Sequence, residues 1–572
     1  METAKPTKPT KPGAGRHAPP PTADRGTSSR HGAQGPERSR GAGGPRHWVL
    51  SAGKLSLGTI ASRLLGVVRD MLRAYYFGTG LAADAFTIAF RLPNMLRALF
   101  AEGALSAAFV PVLTEAMEIA GEEEWRRFVR NVAGLLTLTL LLVSLAGILA
   151  APYLIPIIVP GYADVPGKIE LTVNLTRWMF PYILLIGLAT LAMGTLHALR
   201  HFTAPALSAV VMNLGMIGGM VLVGPRLGDT PEKAVYGLAW GVLAGGVLQL
   251  LIQLPPLLRH RVWGVLRIRL RDSRVRKMGK LMIPGVVGMG VAEVNAFVDT
   301  FLASLLVAGS VAALEYGHRV MQLPLGVFAV ALGTAVLPTI SRHAARGEDR
   351  ELGEQFSLAI RLTLFLLLPI TGYFLVVHRT LLALLFERGA FAGGNSLDLV
   401  SSAFVFYCLG LCSYGLVKVL VPVFYARQNT RTPVRTAATA MAANVVLNLV
   451  LMQFLALGGL ALATALSSTL NVALLARALK RQYGVGMTSE VGRSAARSAG
   501  GAVVAAGVAV GAMAAFGSLW SEGGDGALWL AIALLAATAA AAAGAYLLTV
   551  RLLGSRELAF FQDLLRGRVS SS

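Results

Sequence analysis

The sequence predicts an all-α polytopic membrane protein of about 14 transmembrane helices, and three observations lead there. Hydrophobic residues make up 55% of the 572 positions and charged residues only 14%, a balance that belongs to a chain dissolved in lipid. The apolar residues fall in repeated runs, each near the roughly 20 residues that a helix needs to cross a hydrocarbon core. These runs are too long for barrel strands, and lipid offers a backbone no partner outside its own segment, so the spans are helices.

The formal net charge of +22 invites a nucleic-acid reading. The Lys and Arg residues lie mostly in loops and tails between the apolar runs, however, where anionic lipid headgroups are the nearer partner. Cys408 and Cys412 are the two cysteines. Four apart in one apolar run, they offer neither a disulfide framework nor a four-ligand zinc site, and read as small buried residues.

Residues 1–47 are rich in Pro, Gly, Ser, Thr, Lys and Arg and read as a disordered basic cytoplasmic tail without a signal-peptide core. Fourteen apolar segments follow, near 50–77, 82–115, 128–158, 171–199, 203–224, 234–257, 279–308, 311–344, 355–379, 396–426, 433–455, 458–480, 492–518 and 527–553. The loops at 259–280, 341–351, 425–435 and 476–493 are basic, and the alternate ones are short and poor in Lys and Arg. By the positive-inside rule both termini are cytoplasmic. The outward loop 378–396 carries Arg379 and Arg388, and its LLALLF run reads as a short interfacial segment.

An internal repeat relates the second span to the eighth. Pro93 and Pro324 are 231 apart and Pro111 and Pro338 are 227 apart, each pair in a similar apolar context. Six spans separate the copies, so they run the same way through the membrane. The expectation is two pseudo-symmetric six-helix lobes, residues 48–258 and 259–485, that rock against each other. The two C-terminal helices, 486–553, lie outside the repeat, and 554–572 is a cytoplasmic tail.

The first two spans carry Arg63, Arg69, Asp70, Arg73, Asp84, Arg91, Arg97 and Glu102. Charge at bilayer depth costs several kcal/mol, so these side chains face protein or a water-filled cavity. Arg63 and Asp70, seven apart, share a helix face and can neutralise each other. Pro93 removes a backbone donor and kinks the second span near Arg91–Asn94. Arg319, in the eighth span, again just ahead of a proline, gives the second lobe a matching cation. Arg63, Arg69, Arg97 and Arg319 thus supply a positive cavity in which guanidinium forks match phosphate oxygens, making a pyrophosphate a natural guest. The alternative for any one of them is snorkelling to headgroups or pairing with Asp70, Asp84 or Glu102. Asp70 and Arg91 read as structural partners.

A second group comprises Asp299, Asn444, Asn448 and Thr464. Their oxygens suit a hard cation, and they equally suit hydrogen bonds between helices. Lys418, in an apolar run, is either a buried charge or a snorkelling one. No P-loop, HExxH, GxSxG or zinc-spaced cluster occurs, so no catalytic residue is assigned.

The stretches SRLLGVVRDMLRAYYFGTGLAADAF, RLPNMLRALFAEGALSAAFVPVL, LPLGVFAVALGTAVLP, LFERGAF and YARQNTRTPVR resemble the MurJ (MviN) family of the MOP exporter superfamily over spans one to twelve. The resemblance implies a lipid II flippase that carries the undecaprenyl-pyrophosphate-linked peptidoglycan precursor to the outer leaflet of the bacterial inner membrane. It also implies that the family's cavity arginines fall on Arg63, Arg69, Arg97 and Arg319, with Asp84 and Glu102 in the same hairpin motif. Asn94, on the kinked stretch, completes the candidate substrate set. Three departures stand out: His318 and Gln322 replace acidic residues beside Arg319, and Asn448 replaces a carboxylate in the family's proposed cation site. The expectation is therefore a monomeric transporter working beside the cell-wall synthesis machinery. It has no cofactor beyond a monovalent cation and the membrane potential, and no nucleic-acid partner. Rival readings are a flippase for another polyprenyl-linked glycan and a cation-coupled drug exporter.

Overall fold

A computed structural model describes residues 45–97, 104–262, 264, 267–484, 489–521 and 527–565, all in helices and their connections, with no strand among them. The chain divides into residues 1–50, described only at the start of the first helix, and a body of residues 51–572.

Helix α1 (Pro45–Phe77) turns tightly at Gly78–Gly80 into α2 (Leu81–Arg97), so the last three residues of the predicted tail are already helical. Pro93 lies inside α2, and α3 (Ala104–Ile119) completes the predicted second span. Then come α4 (Glu122–Ile158), α5 (Lys168–Met179), α6 (Tyr182–Ala198), α7 (Thr203–Gly218), α8 (Gly224–Leu227) and α9 (Pro231–Arg259). The fourth span is α5 and α6, interrupted at Phe180–Pro181, and the fifth is α7, a five-residue π turn and α8.

The second half repeats the pattern with α10 (Ser273–Ser304), α11 (Ser310–Arg346), α12 (Asp349–Phe386), α13 (Ser396–Leu409), α14 (Leu411–Ala426) and α15 (Arg431–Tyr483). Helices α13 and α14 form one span bent by 47° at Gly410. Helix α15 holds two spans, separated at Ala456, whose φ of 45° and ψ of −122° are not helical. The chain ends in α16 (Ser489–Ser521), α17 (Ala527–Leu552) and the short α18 (Arg556–Leu565).

Among the described residues eight helices qualify as membrane crossings by length and composition, nine with the bent pair counted as one. Helices α1, α2, α10 and α11, which carry the charged side chains of the site, are not among them. One expectation is corrected. The LLALLF run does not form a separate interfacial piece, because α12 continues unbroken to Phe386. Part of the predicted C-terminal tail folds as α18, whose Glu557 is buried and paired with Arg361 of α12.

Helices α2, α4, α5, α6, α7 and α9 pack on one another, as do α11, α12, α13, α14 and α15, while α16 and α17 pair and lean on α12. The two groups meet where α2 touches α11 and where α10 crosses α3 and α4. Small residues set the closest approach: a Cβ on Gly219, at the end of α7, would lie 2.3 Å from the Gly237 carbonyl oxygen of α9. Only glycine lets two membrane helices touch backbone to backbone in this way.

Candidate substrate site

Helices α1, α2 and α11 converge on a cavity of about 160 Å³ lined by Arg69, Asp70, Arg91, Asn94, Glu315 and Arg319, among others. Its charges form one continuous chain. Arg69 grips Asp70 Oδ1 through Nε at 3.0 Å and Nη2 at 2.8 Å, and its Nη1 donates to Asn213 Oδ1 of α7 at 2.9 Å. The other Asp70 oxygen accepts from Arg319 Nη1 at 3.3 Å, and Arg319 Nε donates to Glu315 Oε1 at 2.7 Å. Glu315 Oε2 then accepts from Arg91 Nη2 at 3.3 Å, while Arg91 Nη1 also donates to the Ala296 carbonyl at 2.9 Å and to the Thr300 hydroxyl. Three guanidiniums against two carboxylates leave one positive charge in excess, on a path that starts in the first half and crosses to the second.

The order of these residues on their helices explains the pairing. Glu315 and Arg319 are four apart on α11 and stack along one face. Asp70 and Arg69 are neighbours, so the aspartate is caught between its own helix and Arg319 of α11. Asp70 therefore pairs with Arg69 and Arg319, correcting the expected pairing with Arg63. Arg63 is exposed further along α1, with its guanidinium against Gly326 of α11. Arg97 donates through Nε to Asn94 Oδ1 at 2.9 Å, which places Asn94 between Arg97 and the cavity. Arg73 is buried, donates to the Ala83 carbonyl at 3.2 Å and to the Thr87 hydroxyl, and lies over the Phe86 and Tyr316 rings.

Asp84 is elsewhere, and its candidacy as a substrate contact is corrected on geometry. It is 1% exposed, pairs with Lys168 Nζ at 2.6 Å, and accepts the backbone N–H groups of Gly309 and Ala312 at 2.8 Å each. A buried carboxylate held through both oxygens and outside the cavity lining is not placed to meet a ligand; it closes the N-terminus of α11 instead. Glu102 lies outside the described residues. Glu315 and Asn213 are site residues that the sequence reading does not pick out. Glu315 carries a usable signal, four residues before Arg319 on one face, whereas nothing local marks Asn213.

His318 and Gln322 hydrogen-bond to each other at 3.2 Å and line a second cavity, of about 410 Å³, together with Lys418 and Asn471. The acidic partner of Arg319 on its own helix is Glu315.

Asp299 of α10 meets Asn444, Asn448 and Thr464 of α15. Asn448 Nδ2 donates to Asp299 Oδ1 at 2.7 Å, the Thr464 hydroxyl donates to Asp299 Oδ2 at 3.4 Å, and the Asn444 amide lies against Asp299 and Asn448. The four side chains fit a monovalent cation in donor type: one carboxylate, neutral oxygens, and an Asn448 Oδ1 that is buried without a hydrogen-bond donor. In this arrangement, though, it is the Asn448 amide that satisfies Asp299.

Fold and site together define a polytopic helical membrane protein with an arginine-rich cavity where its two halves meet. A solved structure described as "Lipid II flippase MurJ, inward closed conformation" matches with a TM-score of 0.70 at 24% identity, covering 89% of this chain and 99% of that one. An inward-facing multidrug resistance MATE family transporter of the MOP superfamily matches with a TM-score of 0.62 at 14% identity, covering 76% and 98%. The family model "Lipid II flippase MurJ" matches residues 73–531, a stretch that begins late in α1 and ends in α17. A relative from Rhizobium tropici, described as "Probable lipid II flippase MurJ", is 38% identical over 425 residues, 74% of this chain and 79% of that relative. The chain belongs to the MurJ lipid II flippase family.

Proposed function

We propose that this protein moves lipid II, the undecaprenyl-pyrophosphate-linked peptidoglycan precursor, from the inner to the outer leaflet of the bacterial cytoplasmic membrane by alternating access. The observation that carries the reading is the Arg69–Asp70–Arg319–Glu315–Arg91 chain between the two halves. Carboxylates hold the guanidiniums in place in the absence of substrate. A pyrophosphate offers the same forks more oxygens and more charge, so it can take over Arg69 and Arg319 while Asp70 and Glu315 keep them oriented. Because both states of the arginines are paired, substrate is bound without being held too tightly to leave. Arg63 and Arg97 extend the positive surface along α1 and α2, and the polyprenyl tail stays in lipid.

In this reading the lobes are residues 48–258 and 259–485, both termini face the cytoplasm, and the protein works as a monomer beside the cell-wall synthesis machinery. No covalent chemistry is required. With an interior negative by about 100 mV, each negative charge moved outward gains about 2.3 kcal/mol, which drives export of an anionic headgroup. Asp299, Asn444, Asn448 and Thr464 would hold a monovalent cation, which would supply a counter-charge for Asp299. An arginine-lined cavity argues against a cation-coupled drug exporter, whose cationic cargo would call for carboxylates.

The test is depletion of the protein in its host with leaflet-resolved measurement of lipid II. Outer-leaflet lipid II should fall and be restored by the wild type but not by Arg319→Ala, with Arg319→Lys in between because it keeps the charge and loses the fork. Unchanged outer-leaflet lipid II on depletion would refute the flippase reading.

A further inference from the structure

We propose that the segment Arg267–Arg271, between α9 and α10, is an interfacial anchor that inserts Ile268 and Leu270 among lipid chains and takes anionic phospholipid headgroups on Arg269 and Arg271. The segment is built into the protein. Its backbone lies along α4, where the Arg267 N–H donates to the Arg130 carbonyl at 3.3 Å and the Arg269 N–H donates to Asn131 Oδ1 at 2.6 Å. Asn131, 2% exposed, returns a hydrogen bond to the Arg269 carbonyl at 3.0 Å. Gly134 makes the approach possible, since a Cβ there would lie 2.1 Å from the Arg267 carbonyl oxygen.

What this backbone presents has no use inside the protein. Ile268 is 57% and Leu270 75% exposed, and Arg269 and Arg271, also exposed, make no ion pair with any described residue. The contrast with their neighbours is direct: Arg274 pairs with Glu124 at 3.1 Å and Lys277 with Glu115 at 2.5 Å.

Depth identifies the occupant. Helix α4 carries Glu122, Glu123, Glu124, Arg126, Arg127 and Arg130 in its first turns, and from Val132 to its end at Ile158 it holds no charged residue. The docking residues Asn131 and Gly134 straddle that change, which is where a membrane-spanning helix passes from headgroups to hydrocarbon. Exposed aliphatic side chains alternating with unpaired arginines at this level match an anionic membrane surface. An acidic soluble protein would leave Leu270 facing lipid. The inference rests on α4 crossing the membrane and is independent of what the protein transports.

The experiment uses the full-length protein in nanodiscs, in a Cys408→Ser/Cys412→Ser background, with a spin label at Leu270→Cys and, as a water-exposed reference, at Glu351→Cys. The label at 270 is expected to be several-fold more accessible to oxygen than to a water-soluble nickel chelate, and the label at 351 the reverse. Equal chelate access at both positions would overturn the proposal. Native mass spectrometry then counts phosphatidylglycerol retained from mixed phosphatidylglycerol and phosphatidylcholine discs. At about 1 kcal/mol per basic residue near a charged surface, Arg269→Gln/Arg271→Gln should lower the preference for phosphatidylglycerol roughly 30-fold at that site. An unchanged preference, with the label still immersed, would overturn the assignment of the arginines. The variant alters only exposed side chains, so its Tm should match the wild type.

Discussion

At the scale of single residues, Asp84 shows how differently two charges of one hairpin can be used. Asp70 sits in the cavity between two guanidiniums, which in the proposed function a pyrophosphate would share. Asp84 is locked by Lys168, itself 2% exposed, and by two backbone N–H groups of α11. Removing one partner of such a pair leaves an uncompensated buried charge, at a cost of about 3–5 kcal/mol. Asp84→Asn and Lys168→Met should therefore each lower the Tm in detergent strongly. Asp84→Asn/Lys168→Met should lose much less than the sum of the two, because the second substitution removes the orphan left by the first. Full additivity would mean that the ion pair is not what holds this end of α11. None of this is legible in the sequence around Asp84. Its partners lie 84, 225 and 228 positions away, whereas the pairing of Glu315 with Arg319 is written into a single helix face.

At the scale of elements, the turn after α1 and the loop after α12 are fitted to each other by backbone. Gly78 has φ +55° and a Cβ on it would lie 2.7 Å from the Ala390 carbonyl oxygen; Gly389 has φ +57° and its Cβ would lie 2.4 Å from the Tyr75 carbonyl oxygen. A left-handed conformation alone costs an L-residue about 1–2 kcal/mol, before any clash. Gly389→Ala should thus release the loop from α1, seen as a several-fold faster reaction of a Thr79→Cys thiol with a water-soluble maleimide. An unchanged rate would show that the loop accommodates the methyl in place. Spans are readable from apolar runs because lipid imposes one rule on every segment. Interruptions are readable only where proline marks them. The junction between the eleventh and twelfth spans carries no proline, and there the expected gap narrows to Ala456, one non-helical residue within the 53 of α15. The apolar LLALLF run between Arg379 and Arg388 suggests a separate piece, whereas packing of Leu382 and Phe386 into the core carries α12 through.

At the scale of the whole molecule, transport requires the two halves to separate at one end and meet at the other, and the contacts at the Gly78–Gly80 end say what must break. Besides Asp84, the Thr79 hydroxyl of the first half lies 2.9 Å from the Ser396 hydroxyl of the second, and both are buried. Hydroxyls this close place the two Cβ atoms near the span a disulfide needs, about 3.5–4.5 Å. Thr79→Cys/Ser396→Cys should therefore oxidise readily in the closed arrangement, while the native thiol of Cys408 stays protected by burial. If the halves rock as bodies, the oxidised double variant should lose nearly all flipping in reconstituted vesicles, and a reducing agent should restore it. The single variants Thr79→Cys and Ser396→Cys should flip at close to the wild-type rate under both conditions, since one weak hydrogen bond contributes only about 1 kcal/mol. Wild-type flipping by the oxidised double variant would mean that this end never opens. The arginine chain would then have to pass its guest by movement within α1, α2 and α11 instead of by rocking of the lobes.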